Sequence, residues 1–137
     1  MNDTAERSPG GAIAVAICPD LMFGSRLGAA AARTGTRVEV FGNLDGACRR
    51  LESADEKLAA VGFAILDLSM ASLDPAEAIR RLRSASNGVP ILAFGPHVHE
   101  GRLAAAREAG ADEVMSRGAF DAQMDNLLRR FLKPTAP

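Results

Sequence analysis

Short apolar runs alternate with amphipathic stretches along most of this 137-residue chain. Ala12 to Cys18 (AIAVAIC) is apolar throughout and contains Ile and Val, which predicts a strand buried on both faces. Pro19 stops it and Asp20 stands at a helix-cap position. The alanine-rich Leu21–Arg33 follows as a helix that Thr34-Gly35 ends. Thr36 to Phe41 (TRVEVF) alternates and predicts a second strand, nearer an edge. Asn43 and Asp45 offer caps for a second helix, in which Leu44, Cys48 and Leu51 share one face. The polar Ser53–Lys57 is expected to break or fray that helix before Leu58–Val61.

Phe63 to Leu68 (FAILDL) is the clearest strand, apolar except for Asp67 near its C-terminal end. Asp74-Pro75-Ala76-Glu77 is a helix start, with Asp74 as cap, Pro75 at the first helical position and Glu77 at the capping-box position. Asn87-Gly88 predicts a turn and Pro90–Phe94 a fourth strand. Glu100–Ala109 is expected to be helical, with Gly110 as its stop, and Asp112–Met115 gives a short fifth strand. Asp121 is the expected cap of a last helix that presents Met124, Leu127, Leu128 and Phe131 on one face. Five strands thus alternate with five helices, the pattern of a parallel sheet covered by helices on both sides. Residues 1–11 are expected to form a disordered lead, residues 12–132 the domain, and residues 133–137 a loose tail.

Composition narrows the function classes. Hydrophobic residues at 47% supply enough apolar surface to exclude disorder of the whole chain. No apolar run reaches the length of a membrane-spanning helix. Sixteen basic residues stand against 17 acidic ones, a balance that argues against a mainly electrostatic nucleic-acid binder. Trp and Tyr are absent, so platforms for stacking single-stranded bases are scarce. Cys18 and Cys48 show neither metal spacing nor a disulfide framework, and the start of the chain lacks the pattern of a secretory signal. A cytoplasmic location is the expectation.

Ligands of such sheets bind beyond the C-terminal ends of the strands. A carboxylate at the tip of a central strand is costly to bury unless it is paired or used, which singles out Asp67. Arg117, at the end of the fifth strand, is its expected partner. Cys18 near the same mouth reads as a small buried hydrophobe rather than a reactive thiol. Asp20 reads as a cap rather than a lone metal ligand. His97 and His99 flank Val98 in a loop, where no acid or Cys cluster completes a metal set. Phosphate-cradling glycine motifs are absent.

Residues 67–83 read DLSMASLDPAEAIRRLR. This run resembles the receiver domain of two-component response regulators, with Asp67, Leu68, Met70, Asp74 and Glu77 in register. Pro90–Phe94 is similar to the family's fourth strand, and Ala109-Gly110-Ala111-Asp112 to its lead into the fifth. The resemblance covers roughly residues 12–132. It implies a flavodoxin-like (βα)5 three-layer sandwich with parallel strand order 2-1-3-4-5. It also implies that Asp67 holds the phospho-acceptor position. The family's helpers are two acids that hold Mg²⁺, a Thr or Ser after the fourth strand and a Lys after the fifth. Here the first strand ends Ile17-Cys18-Pro19, Gly95 stands at the hydroxyl position and Arg117 at the Lys position. Ala71 and Pro75 replace the usual Pro and Gly, and Gly118 the Pro that follows the Lys.

The expectation is therefore a degenerate receiver, a pseudo-receiver without enzymatic activity. Its pocket would be formed by Cys18, Asp20, Ser69, Gly95 and Arg117 around Asp67, with no metal and no cofactor. It would act by binding a protein in a signalling assembly, such as a histidine kinase or an output protein, or by forming a homodimer. The chain's length leaves no room for an output domain, so output is expected through a partner. By resemblance, Arg102, Arg107, Glu108, Glu113, Arg129 and Arg130 are candidates for a partner face, against the plainer reading of a solvated surface. Two alternatives stay open. One is a working phospho-acceptor that uses Asp67 with Mg²⁺. The other is a small-ligand domain whose strand-end cleft is flanked by Gly42, Gly95 and Gly118.

Overall fold

The computed structural model describes residues 11–86 and 88–132. The expected lead before Gly11, Asn87 of the expected turn and the tail 133–137 lie outside the described residues. The elements run β1 (Ile13–Ile17), α1 (Leu21–Thr34), β2 (Val38–Phe41), α2 (Leu44–Glu52) and β3 (Val61–Asp67). Then follow α3 (Pro75–Ala85), β4 (Ile91–Gly95), α4 (Glu100–Glu108), β5 (Glu113–Ser116) and α5 (Arg117–Phe131). All strand pairs are parallel, in the order β2-β1-β3-β4-β5. This is the flavodoxin-like arrangement, with α1 and α5 on one face and α2, α3 and α4 on the other. Among the described residues, no helix is long and apolar enough to cross a membrane.

Local chemistry explains the boundaries. The Asp20 carboxylate accepts the N–H groups of Met22 and Phe23 at 3.0 and 3.2 Å, which starts α1. Gly35, at φ 70°, ends it in the left-handed region. Asn43 accepts the Gly46 N–H at 2.8 Å to start α2. Asp74 accepts the Glu77 N–H at 3.2 Å to start α3. The Glu77 side chain meets Arg80 at 3.3 Å, outside the expected capping box. After Glu52 the chain does not resume a helix, and Val61 already belongs to β3.

The start of α5 departs from expectation. Ser116 caps it through the Ala119 N–H at 3.1 Å, five residues before the expected cap Asp121. Asp121 is thus inside the helix and pairs with Arg26 of α1. A serine hydroxyl on the last strand residue satisfies a helix N–H first, so no later cap is needed.

Strand alternation divides the core. Ala14, Ala16, Cys18, Phe63, Ile65, Leu92 and Phe94 point toward α1 and α5. Val15, Ile17, Ala64, Leu66, Ile91 and Ala93 point toward the other three helices. The edge strands β2 and β5 are partly exposed, whereas β1 and β4 are buried at every position.

Candidate functional site

Asp67 is the last residue of β3 and is 0% exposed. Its place follows from register. Ile17 pairs with Leu66, which sets Cys18 beside Asp67 on one side, and Phe94 pairs with Asp67 on the other. The carboxylate Oδ1 accepts the Ser69 N–H at 2.9 Å. The Cys18 thiol lies 3.7 Å from Oδ2 and also 3.7 Å from the Asp20 carbonyl oxygen. Burial, with the nearby Asp67 charge adding to it, pushes the Cys18 thiol up to about 11. Cys18 is therefore a protonated donor at neutral pH and a poor nucleophile.

Arg117 does not hold Asp67. Its guanidinium donates to Asp20 Oδ2 at 2.9 Å and lies over the Phe23 ring, 4.3 Å from the centroid. The cause is the early start of α5. As the first residue of that helix, Arg117 sits at the end that faces the N-terminus of α1, where Asp20 and Phe23 are. The Phe23 N–H and then Arg117 hold the Asp20 carboxyl below its ordinary value. Asp20 is thus at once a helix cap and an ion-pair partner.

Gly95 closes β4 and is buried. A Cβ built there would stand 3.3 Å from the Leu68 Cβ, so a hydroxyl-bearing residue would require Leu68 to shift. His97 and His99 are exposed. Among the described residues, no group of three or more His, Cys, Asp or Glu side chains is placed to hold a metal ion.

The partner-face residues divide. Arg107, Glu108, Arg129 and Arg130 are exposed, and Arg130 pairs with the half-buried Glu113. Arg102 differs from the others in that its half-buried side chain reaches from α4 onto the loop after Asp67. It donates to the carbonyls of Leu68, Met70 and Leu73 at 2.8, 2.7 and 2.7 Å. An arginine near the start of a polar helix reads as solvated, and nothing in the sequence signals this clamp. A cavity of about 340 Å³ opens on the far side of the same loop, between α2 and α3. None of Gly42, Gly95 and Gly118 lines it.

No protein-family model matches the chain, and a search of curated proteins finds no match. Solved structures do share its fold. A response regulator from Burkholderia pseudomallei, with a phosphorylated aspartic acid and a calcium ion, is 18% identical at a TM-score of 0.70. The match covers 90% of this chain and 68% of that one. The receiver domain of a sensor histidine kinase from Pseudomonas aeruginosa, with a magnesium ion in its active site cleft, is 21% identical at 0.69. That match covers 88% of this chain and 97% of the other. An orphan response regulator of H. pylori is 12% identical at 0.71, covering 90% and 98%. At these identities the likeness is one of fold, and the fold is that of receiver domains.

Proposed function

We propose that this chain is a degenerate receiver-like signalling domain that acts by binding another protein and does not depend on phosphorylation. The observation that carries this reading is the surroundings of Asp67. Its carboxylate is fully buried, and its partners are a backbone N–H and a neutral thiol. A phosphoryl group adds close to two negative charges and three acceptor oxygens. The guanidinium best placed to meet them, Arg117, is engaged by Asp20.

The residues present do not fit a divalent cation. Mg²⁺ demands several oxygen ligands, and the position beside Asp67 carries the Cys18 thiol in place of an acid. Asp20 is committed to its helix cap and to Arg117. The domain on this reading has no enzymatic activity and no cofactor. Its partner is a protein of a signalling assembly, a histidine kinase or an output protein, or a second copy of the chain. The two free, buried cysteines suit a reducing cytoplasm.

One observation favours a second reading, phospho-acceptance at Asp67, namely that the carboxylate ends a central strand of a receiver fold. An amide NMR titration with Mg²⁺ and then beryllofluoride separates the two. The proposal expects an unchanged, well-dispersed spectrum. Shifts at Asp67, Gly95 and Arg117 that disappear in Asp67→Asn would overturn it and establish a working acceptor.

A further inference from the structure

The cavity between α2 and α3 is set apart from Asp67, and its walls are fastened on every side. The Arg81 guanidinium on α3 meets Asp45 on α2 at 2.8 Å, which links the two helices beside the cavity. Asn43 and Asp74 cap those helices through the Gly46 and Glu77 N–H groups, which fixes where each begins. The loop that joins β3 to α3 is held from behind by Arg102, through the carbonyls of Met70 and Leu73. Of these, the Arg102 bonds are both charge-assisted and partly buried, which makes them the firmest of the set. A site whose walls are already ordered loses little entropy when a ligand enters.

The lining has two parts. Leu44, Met70, Leu73 and Ala78 make an apolar floor, and the first three are only partly buried. Ser72, Asp74, Glu77 and Arg81 make a polar rim. The rim charges are not equally free. Arg81 is taken by Asp45, and Glu77 faces Arg80. Among the described residues, no cation pairs with Asp74. Its carboxylate accepts one backbone N–H and is otherwise exposed at the cavity mouth. A volume of about 340 Å³ is within the range of small-molecule sites.

We infer that this cavity binds a small amphiphilic amine, with a compact apolar body on the Leu44, Met70 and Leu73 floor and a cationic head on Asp74. The inference does not rest on the chemistry of Asp67, and it holds whether or not that residue is ever phosphorylated. It places the ligand against the outer side of the loop that Arg102 holds, so occupancy acts on the segment directly following Asp67.

The test uses the full, isotope-labelled chain and phenethylamine as probe. Saturable amide shifts are expected at Leu44, Met70, Ser72, Leu73 and Ala78, with millimolar affinity as so small a ligand allows. Nuclear Overhauser contacts from the ring to the Met70 methyl would locate it. The uncharged 2-phenylethanol should bind several-fold more weakly. Asp74→Asn keeps a good helix cap and removes the charge, so it should erase that difference without unfolding α3. Absence of saturable shifts, or equal binding of amine and alcohol to the unaltered chain, would overturn the inference. n-Butylamine mimics the end of a lysine side chain. If it bound as tightly as phenethylamine, a partner protein's lysine would replace the free small molecule and the assignment would fall.

Discussion

On the α1/α5 side of the sheet, Phe94 stacks on Phe120 with ring centroids 4.4 Å apart, Phe23 lies 5.2 Å from Phe94, and Phe63 stacks on Phe131. On the opposite side the buried residues are aliphatic and small, among them Ala47, Ala64, Ala78, Ala93 and Ala106. The difference separates two jobs. Flat rings fill their face and surround Asp67 and Cys18 with apolar surface, which leaves the carboxylate buried. Among the described residues of the other face no ring is fully buried, and a cavity lined by Leu44, Met70 and Leu73 opens at the corner between α2 and the β3–α3 loop. One face holds a closed carboxylate, and the other holds an open cavity. The loop that Arg102 clamps lies between them.

The sharpest way to break this contrast is to remove a ring. Phe94→Ala deletes a fully buried side chain that contacts two other aromatics, and should cost about 3–5 kcal/mol in chemical denaturation. Ile79→Val on the aliphatic side should cost only about 1 kcal/mol. A loss near 1 kcal/mol for Phe94→Ala would show that the ring contributes no more than a single methylene and that the aromatic face is loosely packed.

Arg102→Ala addresses the joint between the faces. Losing its bonds to three carbonyls should cost about 2 kcal/mol and speed hydrogen exchange at the amides of residues 68–73 more than elsewhere. Unchanged exchange in that loop would mean that the clamp is idle. Asp67→Asn should raise stability by about 1 kcal/mol, because it removes a buried acid that no described cation faces, while its amide oxygen still accepts the Ser69 N–H. Destabilisation would reveal a partner for the charge.

The smallest effect is set by Asp112, which binds the Ile91 N–H and Arg83 of α3, each at 2.7 Å. Burial pushes its carboxyl up, but the Ile91 N–H and Arg83 outweigh burial and hold it below the ordinary 3.8. Because the folded value is depressed, its contribution is present above pH 3.8 and lost as pH falls through the folded value. The side chain is 46% exposed, so screening limits the effect to under about 1 kcal/mol. Asp112→Asn should flatten the denaturation midpoint against pH in that acid range.

The β/α alternation, the Asp20, Asn43 and Asp74 caps and the strand-end place of Asp67 were all legible in the chain, since each depends on residues a few positions apart. The start of α5 was legible in principle, because Ser116 is a good cap. Asp121 was expected instead because its carboxylate precedes a clearer apolar stripe. The partner of Arg117 was not legible. Asp20 and Asp67 both sit at the strand-end mouth, and only the approach of α5 to α1 brings the guanidinium to one of them. The same holds for Arg102, whose acceptors are backbone carbonyls that no sequence motif marks.

By itself, then, the sequence determined which segments become strands and helices, and that an acid ends the third strand. Tertiary structure alone decided what surrounds that acid, where the long arginine side chains end, and where a cavity remains. Backbone conformation is set by local periodicity and caps. The ends of long side chains and the gaps between helices are set by how separate elements meet in space.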